Sequence, residues 1–228
     1  MKIAILGAGN AGCAVAADLT LKGHEVTLIK TSHAMHDDNF EYMQSHKGEM
    51  TLNEFGKVST AYIHRVTRDL EELQDAEIVI IYIQTNYHEQ LIEKIAPYLQ
   101  KDQILLINPG YLSTAYVLKY CQDKPIIVAE AQSSFIDGRV MEPGQFKVGF
   151  RNVRNPICIY PSSRKEEAIE KFDKLQERFV YLDYEEPLLC IGIFCATEAQ
   201  VESHPDHVPV RRGRARTLCS REISLYLR

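Results

Sequence analysis

The sequence lacks any long apolar run, and this excludes one large class of proteins. Its 228 residues contain no segment close to the ~20 apolar residues that a membrane-spanning helix requires. The opening run Ile3–Leu6 is too short for a signal-peptide core and no cleavage site follows it, so we interpret it as a buried strand. We therefore expect a cytoplasmic protein with no membrane partner.

The sequence also lacks an excess of positive charge. It has 26 Lys and Arg residues against 31 Asp and Glu residues, and its formal net charge is −5. A mildly acidic chain has no electrostatic signature for nucleic acid or for an anionic membrane. We expect a small-molecule substrate and no nucleic-acid partner, and the sequence does not predict an oligomeric state.

Paired cysteines and metal-binding motifs are missing as well. The six cysteines are scattered and form no Cys-x-x-Cys pair, which indicates free thiols in a reducing compartment. The pairs His33/His36 and His204/His207 lack the cysteine or carboxylate partners of a zinc site, so we predict surface histidines and no metal. No Gly-Lys-Ser/Thr motif and no nucleophile–base arrangement for acyl transfer is present.

What the sequence does contain is an alternation of apolar strands and helices over its first 130 residues. The predicted strands are Lys2–Gly7, His24–Lys30, Val58–His64, Glu77–Ile83, Ile104–Ile107 and Pro125–Glu130. The predicted helices are Asn10–Lys22, Asp69–Gln74, Tyr87–Gln100 and Ser113–Cys121, and Thr31–Lys57 has no clear pattern. A strand every ~20–25 residues predicts an α/β, Rossmann-type doubly wound, mostly parallel sheet with helices on both faces.

The pattern changes after the sixth strand. Short strands are expected between Val140 and Tyr160, followed by a helix at Ser163–Phe179 and an edge strand at Val180–Leu182. Ser163 and Glu166 have the spacing of a capping box. We assign residues 1–187 to one NAD(P)-binding Rossmann domain.

Residues 188–228 have a different composition. Six arginines occur in Val201–Arg228, without an apolar period, while the first 189 residues contain seven. We interpret this segment as a remnant or irregular basic tail from a truncated or shifted reading frame, in place of a helical substrate domain. The alternative is a flexible basic tail that binds an acidic partner.

A glycine motif carries the main functional prediction. Gly7-Ala8-Gly9-Asn10-Ala11-Gly12 is a G-x-G-x-x-G sequence that ends an apolar strand and opens an Ala-rich helix. Gly7 permits the tight turn, Gly9 lets the backbone approach a pyrophosphate, and Gly12 lets the helix pack closely on the sheet. The free N–H groups at the helix start favour the negative charge. We predict that all six residues bind a nicotinamide dinucleotide.

The end of the second strand predicts the type of cofactor. An NAD site usually has a carboxylate there to bind the ribose 2′-hydroxyl, but this sequence has Lys30 and Thr31, and no carboxylate before Asp37. A cation and the two hydroxyls of Thr31 and Ser32 suit a 2′-phosphate better, so we predict NADP in preference to NAD. The alternative is that Lys30 is a solvated surface lysine.

Further candidate residues follow the later strands. Because ligands bind at the carboxyl ends of parallel strands, we predict cofactor contacts from Gln84 and Thr85, from Asn108 and Pro109, and from Glu130. Ordinary turn chemistry is the alternative for Asn108, and a solvated strand end is the alternative for Glu130. His88 begins the next helix, where a structural role is the more common one.

Several stretches together resemble the octopine/nopaline (opine) dehydrogenase family of NAD(P)-dependent oxidoreductases. The resemblance covers about residues 1–187, and its stretches are ILGAGNAGCAVAADLTLKGHEVTL, DAEIVIIYIQTNYHEQLIEKIAPYL, QILLINPG and VAEAQ. It implies an enzyme that joins an amino acid to a 2-oxo acid by hydride transfer to the imine formed between them. A reductase of the ketopantoate type and a non-catalytic NAD(P)-binding regulatory module remain as alternatives.

The sequence departs from this family in two places. Family members have a second, helical domain that supplies the catalytic histidine and its acidic partner, whereas only about forty residues remain here. We therefore assign no catalytic residue, do not offer His204 and His207 as substitutes, and expect weak activity. The family also tends to have small, Gly-rich residues where this chain has Tyr111-Leu112-Ser113, so the substrate could differ.

Overall fold

The computed structural model describes residues 1–32, 36–152, 155–175 and 179–181. The predictions for the basic tail, for the domain boundary at residue 187 and for His33, His204 and His207 lie outside the described residues. Among those residues, no helix has the length and apolar character needed to cross a membrane. The described cysteines, Cys13, Cys121 and Cys158, are buried, and no disulfide bond occurs among the described residues.

Twelve strands and five α-helices occur in the described part of the chain. The strands are β1 (Lys2–Leu6), β2 (Glu25–Ile29), β3 (Glu49–Glu54), β4 (Lys57–Tyr62), β5 (Arg65–Thr67), β6 (Ile78–Ile81), β7 (Ile104–Ile107), β8 (Ile127–Ala131), β9 (Ile136–Glu142), β10 (Gln145–Arg151), β11 (Asn155–Tyr160) and β12 (Phe179–Tyr181). The helices are α1 (Asn10–Leu21), α2 (Asp37–Ser45), α3 (His88–Ile95), α4 (Thr114–Tyr120) and α5 (Lys165–Asp173).

The main sheet confirms the predicted Rossmann-type fold. Its strand order is β12-β11-β8-β7-β6-β1-β2-β5, and only the β8–β11 pairing is antiparallel. The central strands β6 and β7 are fully buried apolar runs, and β1 is buried and apolar after Lys2, as expected for a parallel sheet covered on both faces. One core contains α1 and α5, and the other contains α3 and α4. The carboxyl ends of the six strands β8, β7, β6, β1, β2 and β5, which run in the same direction, therefore lie at one edge of the sheet.

A second, four-stranded sheet covers α1. Its order is β4-β3-β10-β9, and buried side chains such as Leu52 and Phe146 face the helix core. The prediction of Val58–His64 as third strand of the parallel sheet is wrong, because this region forms β4 at the edge of the second sheet. The three-residue β5 lies beside β2 instead. Such a short, partly exposed strand has no apolar run that would reveal it.

The start of α5 also differs from its prediction. Ser163 lies in a short 3₁₀ turn, the helix begins at Lys165, and no side chain caps its N-terminus, so the predicted capping box is wrong. Arg164 instead bonds Glu167 with its guanidinium, with an Nη2–Oε1 distance of 2.8 Å. The helix ends at Asp173, before the predicted Phe179, which belongs to β12.

Candidate functional site

The glycine loop between β1 and α1 has the geometry that its spacing predicts. Gly7 has φ +117°, and a Cβ there would collide with the Tyr82 carbonyl oxygen. A Cβ on Gly12 would collide with the Gly7 carbonyl oxygen, so both positions require glycine for packing. Gly9 differs because no atom lies within 4 Å of the place a Cβ would occupy. The open side of the loop is therefore at Gly9.

The first turn of α1 lies beside this open space and contains no acidic side chain. Gly9 caps the helix without a side-chain hydrogen bond. The first N–H groups of a helix have no intrahelical acceptor and carry partial positive charge. Asn10 Oδ1 accepts a hydrogen bond from the Val140 N–H at 2.9 Å, which ties the helix start to β9. Asn10 is therefore available to a ligand through its backbone.

An ion cluster lies beyond the carboxyl ends of β2 and β5. Lys30 is buried, and its Nζ is 3.3 Å from Asp37 Oδ1, so the alternative of a solvated surface lysine is wrong. Arg68 Nη2 approaches the same oxygen at 2.7 Å, and its guanidinium lies 4.5 Å from the centroid of the Phe40 ring. The hydrogen bond from Arg68 lowers the pKa of Asp37. Thr31 follows Lys30 and is half-buried.

The loops after β6 and β7 occupy the neighbouring part of the same edge. Gln84 and Thr85 are exposed at the 3₁₀ turn that precedes α3. Asn108 is fully buried and precedes Pro109 through a cis peptide bond. Its Nδ2 donates to the Tyr82 hydroxyl at 2.5 Å, while its Oδ1 has no hydrogen-bond partner among the described residues. Asn108 therefore retains an acceptor for a ligand, which ordinary turn chemistry does not require.

Glu130 lies inside the protein and is not a solvated strand end. It is 5% exposed, and its Oε1 accepts from both the N–H and the hydroxyl of Thr114 at 2.5 Å. A Cβ on Gly110 would lie 2.5 Å from Glu130 Cβ, so the loop after β7 lies flat against this side chain. These contacts show that Glu130 holds the loop after β7 in place. Its predicted contact with the cofactor stays a prediction.

His88 joins the loops after β6 and β7. Its ring is fully buried, with Nδ1 2.6 Å from Ser113 Oγ and Nε2 3.2 Å from the Ile83 carbonyl oxygen. Burial lowers the pKa of His88, although hydrogen bonds to the carbonyls of Ile83 and Gly110 oppose this. The structural interpretation of His88 is confirmed.

Sequence reasoning missed three residues of this edge, namely Arg68, Tyr82 and Ser113. Arg68 follows β5, and recognition of that strand would have placed it beside Lys30. Tyr82 and Ser113 reach partners 26 and 25 residues away, namely Asn108 and His88. No local pattern indicates contacts at such separations.

Comparisons with known proteins identify the family of this chain. The family model described as ketopantoate reductase PanE/ApbA matches residues 3–150. The chain belongs to this family. The resemblance to opine dehydrogenases is also confirmed, because this PanE/ApbA member is 24% identical over 185 residues to the opine dehydrogenase of Arthrobacter sp. (strain 1C), a match that covers 79% of the chain and 50% of the relative.

Solved structures share the fold. An octopine dehydrogenase in complex with NADH and agmatine has a TM-score of 0.67 at 16% identity, covering 81% of this chain and 49% of that one. A PanE/ApbA family ketopantoate reductase from Ralstonia eutropha JMP134 has a TM-score of 0.61 at 20% identity, covering 81% and 57%. The chain thus spans about half the length of the curated opine dehydrogenase and of the octopine dehydrogenase structure.

Proposed function

We propose that this chain binds a nicotinamide dinucleotide and acts as an oxidoreductase of the opine-dehydrogenase type. The observation that carries the proposal is the open space at Gly9, between two glycines that packing requires, in front of an uncapped helix N-terminus. Backbone N–H groups in that arrangement bind a pyrophosphate. Bound NADH in several neighbouring structures supports a nicotinamide cofactor.

The proposed path of the cofactor follows the sheet edge. The pyrophosphate lies at residues 7–12, the adenosine ribose extends towards Lys30 and Thr31, and the nicotinamide extends towards Thr85 and Asn108. The orphan Oδ1 of Asn108 accepts a hydrogen bond from the ligand in this arrangement, because a buried acceptor without a partner costs free energy. Gln84, Pro109 and Glu130 contribute shape and loop position on the same side.

We further propose NADP as the preferred cofactor. Lys30 and Arg68 both approach the Asp37 carboxylate, so two cations lie beyond the end of β2, where the ribose 2′-phosphate would bind in the proposed arrangement. Guanidinium groups bind phosphate with paired hydrogen bonds. Asp37 competes with a 2′-phosphate, because its carboxylate already pairs with both cations. The same carboxylate can accept a hydrogen bond from the 2′-hydroxyl of NAD.

The proposed reaction is the reductive joining of an amino acid and a 2-oxo acid. A nicotinamide cofactor supplies the hydride for such a step, and the protein supplies orientation. Neighbouring octopine dehydrogenase structures are complexes with agmatine, L-arginine or pyruvate, which supports this substrate class. We assign no catalytic residue within the described chain.

A second candidate is the reduction of a ketopantoate-like 2-oxo acid, which the PanE/ApbA family match favours. The two reactions differ in their need for an amine. NADPH oxidation with a 2-oxo acid alone would support the ketopantoate type, whereas oxidation that requires an added amino acid would support the opine type. Spectrophotometric assays with and without the amine separate the candidates.

Cofactor binding is tested at Gly9. Gly9→Asp places a carboxylate where the pyrophosphate would lie, and we expect a loss of NADPH affinity of at least about 100-fold from repulsion and steric exclusion. The position is open, so the thermal midpoint should not change. Gly9→Ala is the matched control, with a smaller loss of affinity. Fluorescence titration measures both variants, and native affinity in Gly9→Asp would refute the proposal.

A further inference from the structure

Two consecutive large residues in the loop after β7 have left-handed backbone conformations. Tyr111 has φ +53° and Leu112 has φ +68°, and their exposed fractions are 54% and 53%. Residues with a Cβ rarely adopt this region, and strained backbone of this kind persists where the surrounding structure enforces it. Two large side chains are therefore exposed to solvent in this loop, and their left-handed backbone conformation costs free energy.

The bend does not depend on these two side chains. The Ser113 hydroxyl donates to the Gly110 carbonyl at 2.6 Å, and His88 Nδ1 lies 2.6 Å from the same hydroxyl. The Gly110 N–H donates to the Ala131 carbonyl at 3.0 Å. Glycine at both positions would satisfy the backbone equally well. These hydrogen bonds therefore explain the shape of the turn. They do not explain why tyrosine and leucine occupy positions 111 and 112.

The location of the loop suggests what the two side chains contact. It continues from Asn108 at the carboxyl end of β7, two strands away from β1 in the sheet. The ion cluster of Lys30, Asp37 and Arg68 lies on the opposite side of β1. With the adenosine ribose at the ion cluster, the substrate end of the cofactor lies near residues 108–112. The segment 108–113 contains no charged side chain.

We infer that Tyr111 and Leu112 form the contact surface for the side chain of the amino-acid substrate and select an apolar amino acid over a charged one. This inference rests on the proposed function. Contact with a phenol ring and an isobutyl group removes apolar area from water, which favours a leucine- or phenylalanine-like side chain. A guanidinium or carboxylate placed there would lose hydration without gaining a counter-charge from residues 108–113.

The test uses the full 228-residue chain saturated with NADPH. In the presence of pyruvate, L-leucine and L-arginine are titrated separately while NADPH fluorescence is followed. We expect leucine to bind about tenfold more tightly than arginine, and Tyr111→Gly or Leu112→Gly to reduce leucine affinity about five- to tenfold. Glycine suits the left-handed backbone, so these variants should fold, and their NADPH affinity should be native.

Phe55→Gly is the matched control. Phe55 also has a positive φ, +50°, and is 80% exposed, but it lies in the turn between β3 and β4, away from this edge. The variant should leave both amino-acid affinities unchanged. Leu112→Asp is the converse change, and it should raise arginine affinity and lower leucine affinity.

The outcomes separate this inference from the proposed function. Absence of NADPH binding by the native chain would overturn both. Normal NADPH binding with equal leucine and arginine affinities, or with no response to either amino acid, would overturn only the inference. It would also be overturned if Tyr111→Gly and Leu112→Gly changed the oligomeric state in size-exclusion chromatography but left amino-acid affinity unaltered, because the patch would then be a protein interface.

Discussion

The sheet edge at the carboxyl ends of the parallel strands is built differently on the two sides of β1. Beyond β2, the ion cluster of Lys30, Asp37 and Arg68 is charged and partly reached by solvent, with the Asp37 side chain 36% exposed. Beyond β7, His88, Asn108, Ser113 and Glu130 are buried. Short hydrogen bonds join His88 to Ser113, Asn108 to Tyr82 and Glu130 to Thr114. Water and salt screen the first group, whereas the second has no solvent to replace a lost partner.

Under the proposed function, this contrast suits the two sides to different tasks. A partly exposed ion cluster exchanges one anion for another at small cost, which suits discrimination between a 2′-hydroxyl and a 2′-phosphate. A buried network holds its loop in one geometry, which suits the placement of reacting groups. Substitutions in the buried group beyond β7 should therefore act mainly on stability, and substitutions in the ion cluster mainly on cofactor preference.

The largest effect is expected at Gly110. Gly110→Ala would place a Cβ 2.5 Å from Glu130 Cβ, which is too close for a side chain that Thr114 also holds. We expect a loss of about 1–3 kcal/mol in the free energy of unfolding, measured by urea denaturation. Gly9→Ala, on the open side of the same edge, should change stability by less than about 1 kcal/mol. Equal stabilities of the two variants would contradict the proposed packing of this loop.

The fold and the glycine loop could be predicted because their signals are local. Gly7, Gly9 and Gly12 lie between a buried strand and a helix, and the periodicity of both flanks is visible in the sequence. Arg68 and Asn108 act through partners distant in the chain, Asp37 and Tyr82, and those pairings depend on strand order. The buried state of Lys30 was equally hidden, because nothing next to it in sequence indicates the ion pair with Asp37.

The misassigned strand has a related cause. The central strands of the main sheet read as continuous apolar runs because both of their faces are covered. β4 has an exposed outer face, with Val58 and Tyr62 each 60% exposed, and so its pattern shows a strand but not which sheet it joins. β5 has only three residues, too few to show the alternating pattern by which a strand is recognised in the sequence.

A smaller effect on stability is expected at His88. His88→Gln removes the imidazole that links the Ile83 carbonyl to Ser113, and we expect a loss of about 1–2 kcal/mol because these buried groups lose a partner. Burial lowers the pKa of His88, so the unfolded state binds the proton more readily. Native stability should therefore fall as the pH drops below the ordinary histidine pKa of 6.5.

The pH dependence separates a buried neutral histidine from simple loss of packing. Denaturation curves of the native chain and of His88→Gln should converge as the pH is lowered through this range, because the variant lacks the titrating group. A constant stability difference between the two proteins at every pH would contradict the assignment of His88 as a neutral link between the loops.

The smallest effect on stability, and the largest on cofactor choice, is expected in the ion cluster. Arg68→Met replaces the guanidinium that lies over Phe40 with an apolar side chain, so NADPH affinity should fall about tenfold while NADH affinity changes little. Asp37→Asn removes the competing carboxylate and should raise NADPH affinity relative to NADH. The NADPH advantage should also shrink with added salt, because this cluster is partly exposed. Titration of both cofactors measures these ratios, and a native preference for NADH would overturn the argument from Lys30 and Arg68.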